Sequence, residues 1–154
     1  GWVFNVLPWT IHAPSSVASG YIADWLIANY CSITLARKYI QLFSAIVYAS
    51  CMFAIGYSTT FVSALGLFCA CACADGLTAG GAYSNPQDLA PNHTGALYGV
   101  MNTLAALPGF ISVYSSGILL KHFGSWVPVF SIAGGVMVTG TITFLAMGSG
   151  KRIV

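Results

Sequence analysis

The pair Arg37-Lys38 is followed by YIQLFSAIVYASCMFAIGY, residues 39–57, nineteen positions without a charged side chain. The run has no polar face that a soluble core helix would turn to water. It also lacks the two-residue alternation of a barrel strand. A bilayer core of roughly 30 Å takes about 20 apolar residues of helix, so the run has the length and character of one membrane span.

The same pattern extends in both directions. Eight of the 154 residues are charged, and they divide the chain into uncharged stretches. The long ones are residues 1–23, 39–74, 89–120 and 122–150, counting histidine as neutral. Charged residues make up 5% of the chain and hydrophobic residues 57%, with a mean hydropathy of +0.81. Soluble domains carry about 25% charge. In hydrocarbon a backbone must satisfy its own hydrogen bonds, which leaves helices or a closed barrel. Residues 126–147 do not alternate either, so the expectation is an all-α membrane protein.

Five spans fit, at about residues 2–27, 39–57, 61–82, 95–120 and 126–147, forming a single transmembrane helical domain over residues 1–154. The breaks are expected near 28–36, 56–60, 83–94 and 122–125. The second span is the most uniformly apolar and is expected to face lipid. The third and fourth are rich in Gly, Ala, Ser and Thr, which let helices pack closely. With five spans the two ends lie on opposite sides. Arg37, Lys38, Lys151 and Arg152 then fall on one side and Lys121 on the other, which makes the first side cytoplasmic, or stromal in a plastid. The glycosylation sequon Asn92-His93-Thr94 falls on that inner side. The chain opens on an apolar run with neither a basic leader nor a cleavage site, and reads as the interior of a longer protein.

Several function classes find no support. Cys69, Cys71 and Cys73 are spaced by two, so a helix cannot turn all three to one point; with Cys31 and Cys51 they read as small packing residues. No metal set, phosphate-binding glycine loop or serine elbow stands out, and no nucleophile and base form a convincing pair. The chain holds no glutamate. A net charge of +2 does not suggest nucleic acid. The expectation is a protein that is not an enzyme and carries no cofactor or metal.

The charges and amides within the spans are the candidates for function. Asp24 closes the first span beside the small Gly20 and Ala23. It is either a latch to Arg37-Lys38 or to a helix N-terminus, or an anchor that sets depth. Asp75 lies inside the third span, where a carboxylate costs about 2.5–3.5 kcal/mol on insertion scales and normally faces a cavity, a partner or a proton path. It is either such a path residue or a hydrogen-bonding group within the bundle. Asn85 and Asp88 stand in the Pro86/Pro91 break. His12 on the first span and Asn102 on the fourth are polar groups at membrane depth. His93 and His122 read as loop residues.

Taken together, these motifs resemble the C-terminal half of the anion:cation symporters of the major facilitator superfamily. The matching elements are Leu7-Pro8-Trp9, Gly20-x-Ile22-Ala23-Asp24, Thr34-x-x-Arg37-Lys38, Tyr83-Ser84-Asn85-x-Gln87-Asp88-x-Ala90-Pro91, Gly95-x-x-x-Gly99-x-x-Asn102 and Gly124-Ser125-Trp126. The likeness is greatest to the plastid phosphate branch and covers the eighth to twelfth of twelve spans. It implies most of a six-helix half of a major facilitator fold, acting with an N-terminal half. It implies transport of inorganic phosphate or organic anions coupled to sodium or protons, in a membrane that could be a plastid envelope or thylakoid.

By the same resemblance, Gly20, Asp24, Arg37 and Lys38 match a gating motif, and Asp88 and Pro91 a loop motif. Asp75, Asn85 and Asn102 sit on helices that line the path of substrate or coupling ion, with Asp75 expected beside Asn102; His12, from its place on the first span, is either a further path residue or an exposed or packed histidine. Many members carry histidine where this chain has Pro86, so a histidine-based role at that site is not expected. The implied partners are the bilayer, the N-terminal half of the same carrier or other membrane subunits, and a small anion. The alternative is a non-transporting structural subunit derived from such a carrier.

Overall fold

A computed structural model describes residues 2–150, with side chains from residue 6 onward. Five long helices follow one another: α1 (Trp2–Asn29), α2 (Ile33–Ile55), α3 (Phe61–Leu77), α5 (Thr94–Phe123) and α6 (Val127–Met147). The short α4 (Asn85–Leu89) lies between α3 and α5, flanked by 3-10 turns at Thr78–Gly80, Ala82–Ser84 and Pro91–His93. The described residues contain no strand.

The helix ends follow from side-chain chemistry. Ser32 caps α2 by accepting the Leu35 N–H at 3.4 Å, and Thr60 caps α3 by accepting the Ser63 N–H at 3.2 Å. Each supplies an acceptor for a first-turn donor that has no partner within the helix. The Ser32 cap starts α2 six residues before the expected span. Arg37 and Lys38 therefore sit inside the helix on its second turn, not ahead of it. Gly124 ends α5 at φ 61°, the left-handed conformation that glycine adopts without a Cβ penalty. Its N–H returns to the Leu120 carbonyl at 2.9 Å. Pro128 lies in the first turn of α6, where a missing N–H costs nothing.

The packing reverses one expectation. α2 is not the lipid-facing helix; it is the centre of the bundle, in contact with α1, α3 and α6. Nine of its residues are buried, among them Ala36, Ile40, Ala45, Ala49, Met52 and Ile55. Uniform apolarity does not distinguish a face that meets other helices from one that meets lipid. The small side chains do: Ala36, Ala45, Ala49 and Ser44 form the buried stripe, while Phe43 and Ile46 point outward. Met52, Ile55 and Cys71 make the apolar core with Tyr48, Leu67 and Phe68, and Phe68 meets Phe130 edge-on at 5.9 Å.

α1 and α3 touch most closely at Gly76. A Cβ there would lie 2.7 Å from the His12 carbonyl oxygen and 2.9 Å from Ser15 Cβ. The expected close packing of the third span is therefore present. That of the fourth is not: α5 buries none of its residues, and nothing lies within 4 Å of a Cβ built on Gly95, Gly99, Gly109 or Gly117.

Four segments are long and apolar enough to cross a membrane: Ile33–Ile55, Phe61–Leu89, Pro91–Phe123 and Val127–Met147. α1, with 28 residues, is long enough but is diluted by His12, three serines and Asp24. Large apolar side chains are exposed along the whole bundle, including Trp9, Val62, Phe110 and Met147, as expected of surfaces solvated by lipid. The C-terminal end of α6 lies beside the start of α2, where the Gly150 N–H donates to Thr34 Oγ1 at 2.9 Å and Lys38 Nζ to the Leu145 carbonyl at 2.7 Å. Lys151 and Arg152 lie outside the described residues.

Candidate functional site

The chain breaks after Leu77, and side chains of α1 and α2 hold the break in place. Ser19 of α1, fully buried, accepts the Gly80 N–H at 2.7 Å and donates to the Leu77 carbonyl at 2.5 Å. Arg37 of α2 donates to the Gly80 carbonyl at 2.9 Å, so both backbone groups of Gly80 are satisfied by side chains. Gln41 of α2 accepts the Ala82 N–H at 3.3 Å and donates to Thr141 of α6 at 3.3 Å. Irregular backbone at membrane depth is tolerated where protein supplies its missing partners, and these side chains supply them. Glycine at position 80 is required by approach, because a Cβ there would collide with the Ser19 backbone carbonyl at 2.5 Å.

Arg37 also grips Asp88. Its Nε donates to Oδ2 at 2.8 Å and a terminal nitrogen to Oδ1 at 3.1 Å, with both side chains at most 14% exposed. This paired fork is the geometry that favours arginine over lysine. The predicted gating residues therefore come together differently from the expectation. Arg37 binds Asp88, whereas Asp24 is exposed and makes no hydrogen bond or ion pair among the described residues. Asp24 closes α1 on an outer surface; the carboxylate that reaches Arg37 comes from the break 51 residues downstream. Lys38 is spent on the α6 carbonyl, and Gly20 has nothing within 4 Å of a built Cβ.

Asp75 has a different partner from the one expected. It pairs with His12 of α1, Oδ2 to Nε2 at 3.3 Å, while Asn102 of α5 accepts from the Tyr83 hydroxyl at 3.3 Å. The crossing at Gly76 sets this pairing by pinning His12 and Asp75 to the two sides of one helix contact. Trp9 lies edge-on to His12 at 5.5 Å. Asn85 Oδ1 is buried without a hydrogen-bond partner among the described residues. Pro86 is buried and Pro91 exposed, one on each side of Asp88. Asp75, Asn85, Asn102 and His12 thus form one close pair and two separate polar points.

Sequence reasoning missed Ser19, Gln41, Thr141 and Tyr98, and quoted Tyr83 only as part of a motif. Tyr98 donates to the Tyr83 carbonyl at 2.5 Å, and the two rings lie 5.4 Å apart. Ser19 and Gln41 carried a signal: polar side chains inside apolar spans, which need partners as much as Asn102 does. No group of three or more His, Cys, Asp or Glu side chains gathers to hold a metal among the described residues, and Cys71 is buried in the α2–α3 core.

These features define an integral, multi-pass α-helical membrane protein with polar side chains set into its spans. Comparison with known proteins narrows the class, although no family model matches. The voltage-gated purine nucleotide uniporter SLC17A9 of Mus musculus is 36% identical over 156 residues, spanning 99% of this chain and 34% of that protein. The chloroplastic sodium-dependent phosphate transport protein 1 of Arabidopsis thaliana is 32% identical, with 99% and 30% covered. The chloroplastic ascorbate transporter of the same plant is 33% identical, with 97% and 27% covered. Along essentially its whole length the chain is therefore similar to the anion transporter family that its motifs resemble. It spans about a third of the length of these curated relatives. Most of a six-helix major facilitator half fits both the helices and the relatives.

Proposed function

We propose that the chain is the C-terminal part of a secondary active carrier that moves inorganic phosphate or an organic anion, coupled to protons or sodium. One observation carries this reading: 97–99% of the chain aligns with carriers whose names give different anions, a nucleotide, phosphate and ascorbate. The anion class is what those relatives share. The chloroplastic relatives support a plastid envelope or thylakoid membrane, with the Arg37-Lys38 end of α2 facing the stroma.

In this reading the path runs between this helical unit and an N-terminal half, since alternating access rocks two halves about a central site. His12, Asp75, Asn85 and Asn102 line the path from this side. The Arg37–Asp88 fork acts as the latch, tying α2 to the break after α3 and letting the two move as one body. The half-exposed Asp75 favours a carrier over a purely structural subunit, because a carboxylate turned to lipid would be strongly disfavoured.

The test uses the full-length protein in liposomes, offered labelled phosphate, nucleotide or ascorbate under an imposed proton or sodium gradient. Gradient-dependent uptake of at least one anion is expected. Neither uptake nor exchange of any of the three would leave the structural-subunit reading in its place.

A further inference from the structure

Asp75 lies in the last turn of α3, two residues before its end at Leu77, and inside the membrane-length segment Phe61–Leu89. His12 lies near the middle of α1. The two side chains approach to 3.3 Å and are 55% and 30% exposed, respectively. They occupy adjacent helices at the point where Gly76 brings the backbones together. The surrounding groups are mostly neutral: Trp9 and Ser15 from α1, Tyr48 from α2, and Cys71 and Cys73 from α3. Tyr48 and Cys71 lie within electrostatic reach of Asp75. No other charged side chain bonds to either member of the pair among the described residues.

We propose that the His12–Asp75 pair, resting on the transport reading above, is the site that binds the coupling proton. A carboxylate and a neutral imidazole carry a net charge of −1, which repels an anion in the path. Nε2 lies 3.3 Å from Asp75 Oδ2, and the imidazole nitrogen that carries no hydrogen takes the incoming proton. Its lone pair forms the new N–H bond while a hydronium on that side gives up its proton and is left as water. The pair is then an imidazolium beside a carboxylate, with zero net charge, and the repulsion is gone. On the opposite side the N–H bond breaks, the electron pair stays on nitrogen, and water takes the proton. Anion entry and proton loading thus favour each other, as linkage requires. Sodium suits this pair poorly, because a hard cation prefers several oxygen ligands and an imidazole supplies none.

The experiment uses the full-length protein in liposomes loaded with a pH-sensitive dye. Three quantities are read: anion-driven proton flux, concentrative uptake, and anion-for-anion exchange at equal pH. A gradient of about one pH unit is worth about tenfold accumulation per proton. Wild type is expected to approach that ratio equally well in sodium and in choline. Asp75→Asn and His12→Gln should each lower proton flux and concentrative uptake by a far larger factor than exchange.

Proton flux that persists in both variants overturns the proposal, as does uptake by wild type that requires sodium. Loss of exchange along with flux in both variants also overturns it, making the pair structural. Absence of exchange in wild type sinks the transport reading itself, and this inference with it.

Discussion

Replacing Arg37 by methionine removes three hydrogen bonds at once. Two go to Asp88, at 2.8 and 3.1 Å, and one to the Gly80 carbonyl, at 2.9 Å. The Asp88 carboxylate, 14% exposed, is left with no cation. Breaking a buried pair by removing one partner costs about 3–5 kcal/mol, because an uncompensated charge remains. Arg37→Lys keeps the charge but not the fork. It should lose one Asp88 bond and the Gly80 bond, at about 1.5–3 kcal/mol for a bond to a charged group. The double variant Arg37→Met/Asp88→Leu leaves no charge behind and should recover most of the loss. The assay is a double-mutant cycle on the full-length protein, unfolded reversibly in mixed detergent micelles. A positive coupling energy of about 1.5 kcal/mol or more is expected, toward the lower end of measured close charge pairs. Single variants within about 0.5 kcal/mol of wild type, the range of ordinary surface changes, would refute the strap. So would a double variant as damaged as the two singles added together.

Gly76→Ala forces the α1 and α3 backbones apart around the 2.7 Å approach to the His12 carbonyl, and should cost about 1–3 kcal/mol as overpacking; the same unfolding assay reads it. Gly124→Ala must hold a side chain at φ 61° and should cost about 1–2 kcal/mol, although nothing within 4 Å obstructs the new methyl. Cysteines introduced at Lys38 and Lys121 should be labelled from opposite sides of sealed vesicles; labelling of both from one side would overturn the span count. Asn92 should carry no glycan in the native protein, and a glycan there would invert the orientation.

The charge map alone was enough to make this an all-α membrane chain with breaks near residues 30, 57, 85 and 124. Long uncharged stretches leave the backbone no other way to satisfy itself in hydrocarbon. The motifs at Asp24, Arg37-Lys38 and Tyr83–Pro91 carried the anion transporter resemblance, because such motifs are local strings. Tertiary structure decided which polar group meets which. Arg37 is thirteen residues from Asp24 in sequence, yet it binds Asp88, because Ser32 starts α2 early and the break after Leu77 folds back over its second turn. Asp75 meets His12 rather than Asn102 because Gly76 lets α1 and α3 cross at that level. α2 reads as uniformly apolar, but Ala36, Ala45, Ala49 and Ser44 turn inward and make it the centre of the bundle. In a membrane chain both sides of a helix are apolar, so hydropathy locates a span but does not orient it. Side-chain size and hydrogen-bonding need orient it, and both act only once the neighbouring helix is in place.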